Sequence, residues 1–122
     1  MAERVRALRG ATTLENDTRE QVIERTATLL QTMFERNGVR KEDLISIVFT
    51  ATDDIASEFP AAAAREIGIS DVPLLCAREL DVLDAVGLCI RVLMHLYSGR
   101  DAASLRHVYL EGAVPLRTDL PR

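Results

Sequence analysis

An arginine lies in the middle of an almost entirely apolar stretch of the chain. The stretch is LCIRVLMHLY, residues 88 to 97, and the arginine is Arg91. Burying a guanidinium group is costly unless a partner offsets its charge. A guanidinium is a planar, always charged set of N–H donors, and it therefore suits carboxylates and other anionic oxygens. Arg91 predicts a cleft that holds an anion, and the first functional hypothesis is a site for a small carboxylate ligand.

Four other arginines also lie among apolar residues. They are Arg9, Arg65, Arg106 and Arg117. Each one alone is more typical of a salt-bridged or surface side chain, whose aliphatic stem covers apolar neighbours while the charged group reaches water. Arg91 is the arginine for which a ligand is favoured.

The sequence lacks the motifs of several common active sites. It contains no glycine-rich phosphate loop and no G-x-S-x-G nucleophile motif. His95 and His107 have no partner at a metal-binding spacing, and we interpret both as packed or polar histidines. Asp53 and Asp54 could bind a cation or act as acid and base, but a solvated turn is the favoured interpretation. The sequence therefore predicts neither a metal nor a cofactor.

Length and composition predict one folded domain over residues 1–122. Hydrophobic residues make up 48% and charged residues 28% of the chain, which is ordinary for a globular protein. The formal net charge is −4. This charge argues against a nucleic-acid partner, because binding a phosphate backbone needs an excess of Lys and Arg.

Cellular location can be predicted from apolar stretches and cysteines. No apolar stretch reaches the roughly 18 residues of a membrane-spanning helix, and the first ten residues lack the apolar region of a signal peptide. Cys76 and Cys89 form no C-x-x-C pair, so a reducing compartment suits them. We expect a cytoplasmic protein with no membrane partner.

Alternating side chains predict two strands in the first half of the chain. RVRALRG, residues 4 to 10, alternates as a strand that Gly10 ends, and Arg9 lies on one of its faces. Residues 44–52 are rich in β-branched side chains and form a buried strand in which Ile45, Ile47 and Phe49 share a face, with Leu44, Ser46 and Val48 largely on the other.

Helical spacing predicts one long and one short helix. Apolar residues recur at helical intervals from residue 16 to Gly38, with Asp17 and Glu20 as a capping box and Gly38 as the stop. Residues 60–68 begin with proline, continue with four alanines and end at glycine, which is typical of a short helix.

The second half predicts mostly extended structure. Residues 72–80 form a short extended segment. Residues 82–97 are ambiguous between helix and strand, and Gly87 followed by dense apolar residues favours a strand from about residue 88. Residues 105–117 predict a last strand pair, or a bent strand, around Gly112.

These elements predict an α/β (α+β) domain with a mixed sheet of about five strands, one long helix and one short helix. One long helix covers a single face of a sheet. The strands at 44–52 and 88–97 are apolar on both faces, so the second face is expected to pack against another subunit. The sequence predicts a homo-oligomer.

Five segments, in their order and spacing, resemble the small monofunctional chorismate mutases of the AroH class. They are RALRGATTLENDT (6–18), ATDDIASEFPAAAARE (51–66), VPLLCARELDV (72–82), CIRVLMH (89–95) and RHVYLEGAVPLRTDL (106–120). The resemblance implies a homotrimeric pseudo-barrel with active sites between adjacent subunits. It also implies the rearrangement of chorismate to prephenate, on the route to phenylalanine and tyrosine.

The resemblance also implies the site residues. Arg91, Arg9 and Glu79 are the expected catalytic residues. The expected substrate-binding residues are Arg9, Phe59, Ala61, Arg65, Leu75, Cys76, Glu79, Arg91, Tyr109, Leu116 and Arg117. The chain departs from the family example at Ala62, where that example has lysine, and at Leu75, where it has threonine.

The implied reaction explains why no nucleophile or general base stands out. A Claisen rearrangement breaks a C–O bond and forms a C–C bond in one concerted step, so it needs neither group. Arg91 is expected to donate a hydrogen bond to the ether oxygen. Arg9 and Tyr109 are expected to bind a carboxylate, and Glu79 with the Cys76 region is expected to bind the ring hydroxyl. The expected apolar wall consists of Phe59, Ala61 and Leu116.

Two other functions stay open at this stage. A trimer with arginine-lined clefts could bind a small carboxylate without catalysing anything. A deaminase of enamines or imines on a similar trimeric fold also uses an arginine for a carboxylate. The combination of Arg9, Glu79, Arg91 and Tyr109 favours the mutase over both.

Overall fold

The computed structural model describes residues 3–116, which form five β-strands and two α-helices. The strands are β1 (Arg4–Thr13), β2 (Leu44–Ala51), β3 (Leu74–Arg78), β4 (Cys89–Ser98) and β5 (Val108–Tyr109). The helices are α1 (Arg19–Asn37) and α2 (Ala61–Glu66), and short 3-10 helices cover Lys41–Asp43, Ala102–Ser104 and Glu111–Ala113.

The five strands form one mixed sheet in the order β3-β2-β4-β1-β5. β4 lies antiparallel to both β1 and β2, whereas β3 runs parallel to β2 and β5 runs parallel to β1. The predicted sheet of about five strands with one long and one short helix is confirmed. The strand prediction for the ambiguous segment is also confirmed, since β4 begins at Cys89.

The main core lies between the sheet and the helices. Val92, Met94 and Leu96 of β4 point to this side and are 0–2% exposed. α1 lies so close to β1 that a Cβ added at Gly10 would be 2.6 Å from the Met33 sulfur. A side chain at position 10 would therefore force the Met33 and Leu29 side chains to repack, which is why glycine suits this position.

The opposite side of the sheet, here called the open face, has no α-helix on it among residues 3–116. Alternation along the strands assigns its residues. They are Val5, Ala7, Arg9 and Ala11 of β1, Ser46, Val48 and Thr50 of β2, Leu75 and Ala77 of β3, Arg91, Leu93, His95 and Tyr97 of β4, and Tyr109 of β5. Only the corner at Ala11 and Tyr109 is covered, by Ala113 and Leu116 of the C-terminal turn.

Two predicted boundaries need correction in the first half of the chain. β1 does not end at Gly10 but continues to Thr13, because its pairing with β4 extends to Cys89. β2 contains a register shift between Leu44 and Ser46. The extra residue moves Leu44, instead of Ile45, into contact with the main core, so the predicted face of the strand's first residues is wrong.

The predicted cap of α1 also needs correction. Thr18, not Asp17, is the N-cap, and its hydroxyl accepts a hydrogen bond from the Gln21 backbone N–H at 3.2 Å. The Asp17 carboxylate instead accepts hydrogen bonds from the backbone N–H groups of Ala56 and Ser57 and from the Ser57 hydroxyl. Asp17 therefore ties the start of α1 to the loop that precedes Phe59.

This network predicts a pH-dependent contribution of Asp17 to stability. The Ser57 hydroxyl and the Ala56 N–H lower the pKa of Asp17 below its ordinary value of 3.8. A lowered pKa means that the contribution is present above pH 4 or so and is lost as the pH falls through the folded-state pKa. Asp17→Asn should lower the urea midpoint at pH 7, and the difference from wild type should shrink towards pH 3. Glu24→Gln removes an exposed carboxylate on α1 and should leave the urea midpoint unchanged at both pH values. An equal effect of Asp17→Asn at both pH values would contradict the prediction.

The predicted strand pair around Gly112 is wrong. β5 is only two residues long, and Gly112 lies in the 3-10 helix Glu111–Ala113. The Gly112 N–H donates to Thr13 Oγ1 at 2.8 Å, and Arg25 lies 3.2 Å from Glu111. These contacts fold the segment back over the end of β1 and leave no room for a second strand. Arg117 lies outside the described residues.

Candidate functional site

The register of the strands places Arg91 at the centre of a row across the open face. Its Cα partners are Thr50 on β2 and Ala11 on β1. The row continues on both sides, to Ala77 beyond Thr50 and to Tyr109 beyond Ala11. Cross-strand neighbours on one face have Cβ atoms about 5 Å apart, so Thr50 flanks Arg91 directly. Ala11, between Arg91 and Tyr109, is fully buried and packs against Ala113.

Glu79 holds Arg91 in place. The Arg91 NH1 group donates to Glu79 Oε2 at 2.6 Å, and the two side chains are only 27% and 17% exposed. Glu79 follows β3 directly, and its backbone N–H donates to the Ala51 carbonyl, which anchors it beside β2. This partly buried, charge-assisted bond fixes the plane of the guanidinium.

A hollow of about 330 Å³ lies over this pair. Its wall includes Arg9, Thr50 and Leu93 besides Glu79 and Arg91. Arg9 is half-buried, and its side chain has no ion pair within residues 3–116, while its backbone N–H donates to His107 Nδ1 at 2.9 Å. The hollow therefore contains two guanidinium groups and only one carboxylate, which favours an anionic ligand.

Three buried polar atoms in the same row have no hydrogen-bond partner in the described part of the chain. They are Arg91 Nε, Thr50 Oγ1 and Tyr109 Oη. Buried polar groups are nearly always hydrogen-bonded, because leaving one unpaired costs about 1–3 kcal/mol. The hollow includes Arg91 and Thr50, so a ligand oxygen bound in it can satisfy Arg91 Nε and Thr50 Oγ1. Tyr109 Oη lies at the covered corner of the open face.

Cys89 lies on β4 two residues before Arg91. Burial raises the pKa of its thiol above the ordinary value, although the nearby Arg91 acts in the opposite direction. The thiol is therefore protonated at neutral pH. A protonated, fully buried thiol is a poor nucleophile, so this cysteine adds no covalent chemistry to the hollow.

The other site residues expected from the sequence lie elsewhere in the chain. Phe59 is 66% exposed and, together with Cys76, lines a second hollow of about 410 Å³ beside β3. Leu75 is 62% exposed on the open face of the same edge strand. On α2, Arg65 is exposed, whereas Ala61 is 6% exposed and packs into the main core. Within one chain, none of these residues lines the hollow over Arg91 and Glu79.

Two further observations concern residues at the ends of the strands. Leu116 packs against the cluster of Ala11, Tyr109 and Ala113. Asp54 accepts hydrogen bonds from the Leu88 N–H and from the Thr52 hydroxyl, so it anchors the loop before β4. This supports the interpretation of Asp54 as a turn residue.

Sequence reasoning missed Thr50. It is a polar residue in a strand of β-branched and aromatic side chains, where threonine is common for structural reasons alone. Alternation from Ser46 and Val48 could have placed it on the face opposite Phe49, but only the pairing with β4 brings it beside Arg91.

Two other kinds of feature are absent from residues 3–116. They contain no group of three or more His, Cys, Asp or Glu side chains that could hold a metal ion. In the same residues, no helix combines the length and apolar character needed to cross a membrane.

Comparison with known proteins identifies the family. The model of the family "Chorismate mutase type I" matches residues 5–120. The chain belongs to the chorismate mutase type I family. It is 47% identical to chorismate mutase AroH of Thermus thermophilus over 117 residues, which are 95% of this chain and 96% of that protein. It is 42% identical to chorismate mutase AroH of Bacillus subtilis (strain 168), over 95% of this chain and 92% of that protein.

The fold agrees with a solved member of the family. The structure of a chorismate mutase from Clostridium thermocellum has a TM-score of 0.90 to this chain, with 43% sequence identity. The match covers 91% of this chain and 99% of that one. The mixed sheet, the two helices and the family assignment from sequence are therefore confirmed together.

Proposed function

We infer that this protein catalyses the chorismate mutase reaction, the rearrangement of chorismate to prephenate in the biosynthesis of phenylalanine and tyrosine. Family membership over nearly the whole chain supports the reaction. The observation that carries the site assignment is Arg91, which Glu79 holds at 2.6 Å while Arg91 Nε lies buried without a partner in the described residues. A guanidinium held in this way can meet an oxygen of the substrate.

The reaction needs positioning and charge stabilisation from the protein. Chorismate carries a flexible enolpyruvyl side chain that must lie over its ring before the C–C bond can form. Holding it there removes much of the entropic part of the barrier. As the C–O bond breaks, negative charge grows on the ether oxygen, and a fixed cationic donor in a partly buried hollow stabilises this charge.

Four residues in or beside the Arg91 hollow have roles in this proposal. Arg91 donates a hydrogen bond to the ether oxygen. Glu79 orients Arg91 and also lines the hollow, where it accepts a hydrogen bond from the ring hydroxyl. Arg9 and Tyr109 hold a carboxylate of the side chain. The Arg9 guanidinium is half-buried without an ion pair among residues 3–116, and Tyr109 Oη is buried without a hydrogen-bond partner in the same part of the chain.

We propose that three copies assemble through the open face and that each active site contains residues from two of them. The open face exposes Val5, Leu75 and Tyr97, which are 56%, 62% and 49% exposed in one chain. The Phe59 and Cys76 hollow lies beside the edge strand β3, whereas the Arg91 hollow lies over the centre of the open face. In the trimer, Phe59, Ala61, Arg65, Leu75 and Cys76 of one copy complete the Arg91 hollow of its neighbour, and Leu116 closes it.

The proposed location is the cytoplasm. Both cysteines, Cys76 and Cys89, are free thiols. Free thiols suit a reducing compartment, where disulfides do not persist.

A direct assay tests the function. The purified protein should consume chorismate, followed by the loss of its diene absorbance, and should form prephenate without any added metal or cofactor. Because no group has to change its protonation state in the step, kcat should be nearly constant around neutral pH. A steep bell-shaped profile would contradict this mechanism.

Calorimetric binding of chorismate without turnover would instead support a carboxylate-binding module, and release of ammonia from an enamine substrate would support a deaminase.

A further inference from the structure

Thr50 is the one neighbour of Arg91 in the hollow whose side-chain chemistry has no assigned use. It is the Cα partner of Arg91 across the β2–β4 pair, and both residues lie on the open face. Its Oγ1 atom is buried and has no hydrogen-bond partner among the described residues. A valine would fill nearly the same volume in this strand without an unpaired hydroxyl, so the hydroxyl has a stability cost that packing does not explain.

Thr50 and Arg91 are cross-strand neighbours, and Thr50 Oγ1 and Arg91 Nε both lack a hydrogen-bond partner among the described residues. If Thr50 Oγ1 served only to accept a hydrogen bond from the Arg91 guanidinium, these cross-strand neighbours would already be hydrogen-bonded. The structure has no hydrogen bond between them. Glu79 binds the Nη1 group of Arg91, while Arg91 Nε–H is buried and has no partner among the described residues. One acceptor oxygen above the pair would receive Arg91 Nε–H and Thr50 O–H at once.

We propose that the Thr50 hydroxyl is a second donor to the substrate oxygen that Arg91 meets, the ether oxygen whose charge grows as the C–O bond breaks. This inference rests on the proposed function. Thr50 then acts mainly in the transition state, because a neutral donor binds a charged oxygen more strongly than an ether. Its loss must therefore reduce kcat and leave KM nearly unchanged.

Three variants test this role. Thr50→Val keeps the shape and removes the hydroxyl, and it should lower kcat by about tenfold, as expected for the loss of one hydrogen bond. Thr50→Ser keeps the hydroxyl and should stay within about threefold of wild type. Thr12→Val is the matched control, because Thr12 is also a strand threonine with a buried Oγ1 that lacks a partner in residues 3–116, but it faces the helices. Its kcat should equal that of wild type.

Stability measured on the same variants separates function from packing. Thr50→Val and Thr12→Val should both have urea midpoints equal to or above that of wild type, because each removes an unpaired buried hydroxyl. A Thr50→Val protein that is stable but slow would support the proposal. A normal kcat in Thr50→Val, a loss confined to KM, or an equal loss in Thr50→Ser would overturn it. If wild type itself does not convert chorismate, the proposed function fails, and this result differs from all of those.

Discussion

Arg91→Ala is expected to lower kcat by on the order of 10²-fold or more, as for the loss of a donor to a developing oxyanion. The reason is that the charge on the ether oxygen exists mainly in the transition state. If Arg91 only held the carboxylates of bound chorismate, its loss would raise KM and leave kcat close to normal. Steady-state kinetics with chorismate separate these two cases.

Two further variants sharpen this test. Arg91→Lys keeps a positive charge but loses the planar fork that contacts Glu79 and the substrate at the same time, so it should recover only part of the rate. Arg40→Ala, which removes an arginine that is 62% exposed and remote from the hollow, should leave kcat unchanged. The circular dichroism and the assembly mass of Arg91→Ala should match wild type. A normal kcat in an intact assembly would contradict the role proposed for Arg91.

Tyr97→Glu is expected to break the proposed trimer and abolish most of the activity. Tyr97 is 49% exposed on the open face, and its Cα partner Val5 is 56% exposed. A carboxylate placed between close-packed subunits would have to lose its hydration without gaining a cationic partner, which strongly disfavours assembly. Light scattering should give the mass of one 13.5 kDa chain instead of three. Activity should fall because the Phe59 and Cys76 group of a neighbour no longer reaches the Arg91 hollow.

The matched control places a glutamate on helix α1, on the other side of the sheet from the open face. Gln31→Glu introduces a glutamate on the exposed side of α1 and should keep both the trimer mass and the activity. Because Tyr97 is partly exposed in the single chain, Tyr97→Glu should not disturb the fold of that chain and should keep the circular dichroism of wild type. A Tyr97→Glu protein that remains a trimer, or a monomer with full activity, would contradict assembly through the open face.

Much of the fold could be predicted from local patterns. α1 was predictable because its apolar residues recur at helical intervals and Gly38, with φ of 60°, ends it. β4 was harder, since dense apolar residues fit a helix or a strand equally well. The errors arose where contacts from distant residues override local preference. Asp17 bonds to Ala56 and Ser57 in place of capping α1, and Thr13 and Arg25 fold the segment around Gly112 into a turn.

The site shows the same division. Arg91 was noticeable in the sequence because a charged residue in an apolar run violates the hydrophobic pattern, and such a violation is visible without coordinates. Glu79 and Thr50 were not noticeable in this way, since a glutamate after a strand and a threonine within one are ordinary. The family resemblance had pointed to Glu79 but not to Thr50, and the pairing of β2 with β3 on one side and with β4 on the other brings both beside Arg91.

By itself, the sequence determined the family, the helices, most of the strands and the presence of one arginine that needs an anionic partner. These features follow from residue types and short spacings, which are local properties of the chain. The tertiary structure decided which residues surround Arg91, because the order β3-β2-β4-β1-β5 brings together residues from four distant segments. It also decided that Phe59 and Cys76 lie apart from Arg91 within one chain. Strand order and register are set by packing between distant segments, and no short stretch of sequence contains that information.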